Sequence, residues 1–175
     1  MKKFELTAEF VTNVFGKKLF RIKALVAFGD VEKGELGGFI EKEDNLSHDG
    51  NAWVYGNAQV SGNAQVSGNA QVYGDARVYG NAWVSGDAQV SGDAQVYGNA
   101  DYAAVAGFGR YSRTTTFFRC KDKILRVQCG CFYGDLAQFR EIVKKTHGDS
   151  KYAKEYLAIA DLMELHFSDE CGGEQ

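Results

Sequence analysis

From Asn51 to Gly98 apolar and polar positions recur on a strict six-residue period: NAWVYG, NAQVSG, NAQVSG, NAQVYG, DARVYG, NAWVSG, DAQVSG, DAQVYG. Within each hexad the Ala-x-Val triplet sets Ala and Val on one side of an extended segment and the central residue on the other. Gly followed by Asn or Asp then supplies a bend, since both tolerate positive φ. Each hexad therefore predicts a very short strand plus a corner. One such strand cannot bury its inner face alone, whereas stacked coils bury Val on Val and Ala on Ala. Asn45–Gly50 and Asn99–Ala104 continue the pattern in degenerate form, which places the repeat unit at residues 45–106.

Residues 1–44 read as a β cap for one open end of this stack, because uncovered edges are aggregation templates. Phe4 to Val11 and Lys18 to Ala27 are strand-like around a turn at Asn13 to Lys17, and Gly34 to Ile40 leads into the first coil. Residues 107–175 read as a ββαα unit. Thr114 to Cys120 and Ile124 to Cys129 flank a Lys121-Asp122-Lys123 turn. A helix from about Asp135 to His147, closed by Gly148, carries Leu136, Phe139, Ile142 and Val143 as its apolar stripe. A second, from about Lys151 to Phe167 behind an Asp149 or Ser150 cap, carries Tyr152, Tyr156, Ile159, Met163 and Phe167. The tail Ser168 to Gln175 reads as frayed.

The hexad register, Val54, Ala58, Val60 and onward to Val96, resembles the hexapeptide-repeat, left-handed β-helix family. That resemblance implies a mainly β fold: a short left-handed parallel β-helix with three hexads per triangular coil. About four coils at ~4.8 Å each would be roughly 20 Å long. Residues 18 apart then stack, placing Trp53, Gln71 and Gln89 outward on one wall, Gln59, Arg77 and Gln95 on the next, and Gln65, Trp83 and Asp101 on the third. Tyr55 lies over Tyr73, and Tyr79 over Tyr97. Asn and Asp columns at the corners form hydrogen-bonded ladders. The segment FGDVEKGELGGFIEKEDNLSHDGNAWVYG (28–56) resembles the opening segment of bacterial and prophage-encoded hexapeptide-repeat proteins. The segment TTTFFRCKDKILRVQCGCFYGDLAQFREIVKKTHGDSKYAKEYLAIADL (114–162) resembles a C-terminal unit of small phage and prophage reading frames. Together these imply a phage-type protein.

Composition sharpens the picture in three places. Of the 21 glycines, in a chain with no proline, eight supply one corner per hexad and the other 13 are scattered over flanks and turns, so the excess does not mark a flexible linker. Apolar residues at 45% and charged residues at 25% indicate a globular chain. Neither a long apolar run nor a signal-peptide core is present, so the expected location is the cytoplasm, that of the host cell for a phage-encoded protein. The four cysteines, Cys120, Cys129, Cys131 and Cys171, lack paired zinc spacing and read as reduced structural thiols. No metal and no cofactor is expected.

Catalytic chemistry is sparse. Hexapeptide-repeat relatives are often acyltransferases with a His base on a loop that leaves the coil, and this chain has neither inside its eight regular hexads. His48, with Glu43 and Asp49 nearby, is the sole candidate base. There is no phosphate-binding G-x-x-x-x-G-K motif. The expected function is therefore non-catalytic binding by a phage-type protein, for example inhibition of a bacterial defence protein as an anti-CRISPR. An acyltransferase-like enzyme and a purely structural oligomerisation module are the alternatives. Candidate partner-binding residues are the outward Trp53, Tyr55, Tyr73, Arg77, Tyr79, Trp83 and Tyr97, since aromatics and Arg dominate interface energetics. The partner is a host protein or, as a homo-oligomer, a second copy. Arg110, Arg113, Arg119, Lys121, Lys123 and Arg126 concentrate positive charge in a chain of net −3. They are candidates for an acidic partner or for nucleic acid, with Tyr111, Phe117 and Phe118 available for stacking.

Overall fold

The computed structural model describes residues 1–168. Three strands open the chain: β1 (Phe4–Thr12), β2 (Lys18–Ala24) and β3 (Leu36–Ile40). Eight two-residue strands follow at the predicted positions: β4 (Trp53–Val54), β5 (Gln59–Val60), β6 (Gln65–Val66), β7 (Gln71–Val72), β8 (Arg77–Val78), β9 (Trp83–Val84), β10 (Gln89–Val90) and β11 (Gln95–Val96). They pair in parallel 18 residues apart, with Gln59 beside Arg77 and Val60 beside Val78. The result is a three-walled parallel β-solenoid. Its first wall is β3-β5-β8-β11, its second β4-β7-β10 and its third β6-β9, the last preceded by a bridge from Leu46 to Val66. The solenoid makes about three turns rather than four.

Every repeat Ala and Val from Ala52 to Val96 is 0–1% exposed. Burying each such Val side chain contributes about 1.5–3 kcal/mol. The corner glycines from Gly56 to Gly92 adopt φ of 57–72°. At Gly98 φ is −147°, and there the repeat ends in a single 3-10 turn, Asn99–Asp101, instead of another rung. Asp101 consequently does not face outward on the third wall as the hexad register predicts. Its carboxylate turns back to accept from the Tyr97 and Gly98 backbone N–H groups, both at 3.0 Å.

A parallel stack leaves carbonyls orphaned at its first rung and N–H groups orphaned at its last, and buried orphans are costly. The chain answers each end with side chains of the complementary kind. At the start, the Lys3 ammonium donates to Ala52 O (2.9 Å) and Gly50 O (3.3 Å) on the second wall. The fully buried Asn45 amide donates to Ala64 O (2.8 Å) and Gly62 O (3.2 Å) on the third. At the far end, acceptors take over: Asp101 on the first wall, Thr116 Oγ1 for Gln89 N (2.9 Å) on the second, and Asn99 Oδ1 for Trp83 N (2.8 Å) on the third. Burial pushes the Lys3 pKa down to about 8, against the opposing attraction of Asp49.

The N-terminal hairpin β1-β2 joins β3 antiparallel, so it continues the first wall beyond the solenoid. Its Phe4, Ile22 and Ala24 close the core from that end. At the other end the two strands and two helices of the expected ββαα unit are present, and the structure adds a strand on each side of the strand pair. Four antiparallel strands, β12 (Tyr102–Phe108), β13 (Arg113–Arg119), β14 (Leu125–Cys129) and β15 (Phe132–Asp135), precede the helices α1 (Leu136–His147) and α2 (Lys151–Phe167). Asp135 caps α1 by accepting from Gln138 N, and Ser150 caps α2 by accepting from Ala153 N. Alternation along β13 makes it a divider. Phe118 and Cys120 seal the solenoid core, while Phe117 packs with Phe139, Tyr156 and Met163 in a second core under the helices. In the two helical stripes, Ile142 and Tyr152 remain 37% and 38% exposed. Most of the expected frayed tail lies outside the described residues. Among the described residues no helix is long and apolar enough to cross a membrane.

Candidate functional site

The seven candidate partner-binding residues separate into four groups. Trp53 must be removed from the set: it is 0% exposed. It does occupy an outward position on the second wall, but Phe28 and Phe4 cover it edge-on at 5.3 and 6.3 Å between ring centres. The hexad register fixes which way a side chain leaves the solenoid, not whether another segment lies over it. Tyr55 and Tyr73 are half-buried at corners, and burial raises both phenol pKa values.

Arg77, Tyr79 and Tyr97 share the first wall and its corner. The Tyr79 and Tyr97 rings meet edge to face at 5.2 Å. The turn of the N-terminal hairpin reaches over this wall and extends the row, with Phe15 5.9 Å from Tyr79. Phe15, Val14 and Tyr97 are 65%, 73% and 62% exposed. Between hairpin and wall lies a cleft of about 220 Å³ that includes Gln59, Arg77 and Gln95. Sequence reasoning missed Val14 and Phe15. Two large apolar residues in a predicted turn, flanked by Asn13 and Gly16, were the available signal. Trp83 is exposed on the third wall, a different face.

The basic candidates do not form one surface. Residues paired across strands point to the same face, so Arg126, beside Phe118, lies on the solenoid side of the sheet. Arg119, two residues along from Phe117, lies on the helix side. Arg126 is held by Asp122 at 2.6 Å, and the Arg119 guanidinium donates to Phe167 O at 2.8 Å. Arg110 and Arg113 stand over the Tyr111 ring at 5.6 and 5.0 Å. Lys121 and Lys123 are exposed at the β13-β14 turn. Phe117 and Phe118 are fully buried, so neither can stack on a base.

His48 has no nitrogen left for proton transfer. Its Nδ1 accepts from Lys3 N at 3.1 Å, which leaves the proton on Nε2, and Nε2 donates to Glu43 Oε1 at 2.7 Å. The ring stacks on Phe4 at 4.3 Å. The His48 contact, together with Lys2, holds the Glu43 carboxyl below its usual pKa. His48 thus ties the N-terminal strand to the first turn. Burial pushes the Cys120 thiol up to about 12, which makes it inert. Cys131 is exposed. Among the described residues no three His, Cys, Asp or Glu side chains gather into a metal-holding group.

A family model described as a YdcK beta solenoid repeat matches residues 70–86. The match spans β7 to β9, so the similarity covers one of the solenoid's turns. No curated protein matches the chain.

Proposed function

We propose that the protein is a non-catalytic binding module of phage type, which presents the row Phe15, Tyr79 and Tyr97, with Arg77, to a protein partner. The carrying observation is that this row, exposed at Phe15 and Tyr97 and half-buried at Tyr79 and Arg77, stands on a wall whose backbone is fixed by ladder hydrogen bonds, with Tyr79 N to Val96 O at 2.9 Å and Arg77 N to Ala94 O at 2.8 Å. Preformed aromatic surface binds with little ordering penalty. The enzyme alternative is disfavoured because both nitrogens of His48 are occupied. The resemblance of residues 28–56 and 114–162 to phage and prophage proteins favours a host protein, and inhibition of a bacterial defence protein is one form this takes.

The test is capture of bacterial proteins by the tagged chain, compared with Tyr79→Ala/Tyr97→Ala, alongside light scattering of each. One defined complex is expected. A hot-spot loss of about 2 kcal/mol weakens it about thirtyfold in the variant. A monomer that captures nothing sensitive to these two residues, in lysate or with itself, overturns the proposal.

A further inference from the structure

The third wall carries a groove that the protein-binding row does not use. It has a volume of about 800 Å³, within the range of small-molecule sites. Its floor is Ser47, Asn63, Gln65 and Ser67, and Trp83 forms one side. The rim is the 3-10 turn Glu43–Asn45 with Lys42 before it. Leu46, Ala64 and Val66 contribute only backbone, since their side chains are 0–2% exposed.

The two tryptophans occupy the same place in their hexads and have opposite fates. The chain covers Trp53 with Phe4 and Phe28, whereas Trp83 stays 54% exposed. Trp83 is nonetheless held in place. It pairs in register with Gln65, and its indole N–H donates to Ser67 Oγ at 2.9 Å. Its orientation is therefore set before any ligand arrives.

The lining chemistry narrows the ligand. Amides and hydroxyls repeat from one rung to the next beside the Trp83 indole, the His48 imidazole in the lining is already held by Lys3 N and Glu43, and no aliphatic side chain is exposed in the floor. An acyl chain or an apolar peptide would find the indole and one hydrogen-bonded imidazole and otherwise bury polar groups unpaired, which is unfavourable. A phosphate would meet Glu43 and Asp44 against Lys42, whose ammonium already reaches Asn63 Oδ1 at 3.4 Å. A neutral sugar matches both parts. A pyranose has a C–H face that packs on an aromatic ring and hydroxyls at its edge that pair with amides and carboxylates.

We propose that this groove binds a neutral oligosaccharide, one ring stacked on Trp83 and its hydroxyls hydrogen-bonded by Asn63, Gln65 and Ser47. The site stands apart from the Phe15–Tyr79–Tyr97 row, so either can fail alone. The experiment follows the two indole N–H signals of the full chain by NMR while maltohexaose, cellohexaose or N-acetylchitohexaose is added. The expected result is that at least one sugar shifts the Trp83 signal with a Kd at or below about 1 mM, while the Trp53 signal stays fixed. Trp83→Ala, on an exposed side chain, keeps the wild-type melting temperature and loses at least tenfold in affinity, measured by calorimetry. Tyr79→Ala binds the sugar unchanged. No shift with any of the three sugars at about 5 mM, several times that Kd, overturns the proposal. So does binding that survives Trp83→Ala, or light scattering that shows an oligomer of the wild-type chain that Trp83→Ala converts to monomer.

Discussion

Trp53→Ala is expected to destabilise the protein by about 3–5 kcal/mol, a large fraction of the stability of an ordinary domain. The indole is 0% exposed and fills the space between Phe4, Phe28 and the first rung of the second wall. Its removal would leave a cavity walled by rings and by a strand that cannot move without breaking the Trp53 N to Ala70 O bond. Trp83→Ala, the same change in the same hexad position five hexads further on, is expected to stay within about 0.5 kcal/mol. Urea unfolding of both variants reads the difference, and equal losses would contradict the assignment of Trp53 as core.

Gly38→Val is expected to destabilise by about 3 kcal/mol, at the upper end of overpacking effects. Gly37 and Gly38 lie in β3, where the N-terminal sheet meets the first turn of the solenoid. A Cβ on Gly38 would sit 2.6 Å from Ala58 O and 2.7 Å from Val54 Cγ1. One is ladder backbone and the other a buried core methyl, so neither can yield. Gly98→Val is the control, since a Cβ there meets nothing within 4 Å and φ is −147°. A Gly38→Val midpoint equal to that of Gly98→Val would show that the junction is looser than its spacing indicates.

The contrast between Trp53 and Trp83 also shows how far the sequence could be read. The six-residue period carried the rung register, the corner glycines and the buried Ala and Val columns, because each follows from neighbours a few residues away. The helix ends were legible for the same reason: Asp135 and Ser150 cap through side-chain bonds that span three residues. What covers a wall was not legible. Phe4 and Phe28 reach Trp53 from outside the repeat, and Phe15 reaches Tyr79 from a turn 64 positions away by number. The strands β12 and β15 were missed because Ala103-Ala104 and Gly134 give little strand signal and their pairing partners are set by the sheet. The end caps were hidden in residues of ordinary polar type. Lys3, Asn45, Asn99 and Thr116 become informative only once the stack leaves orphan carbonyls at one end and orphan N–H groups at the other.

The chain seals its own ends and one of its tryptophans while leaving two separate surfaces open, Trp83 on the third wall and Phe15 with Tyr97 on the first. Hydroxyl-radical footprinting of the free protein, read residue by residue by mass spectrometry, tests this most directly. Rapid oxidation of Trp83, Phe15 and Tyr97 with strong protection of Trp53 is the predicted result. Equal oxidation of the two tryptophans, or protection of Trp83 and Tyr97 in the free protein, would contradict it.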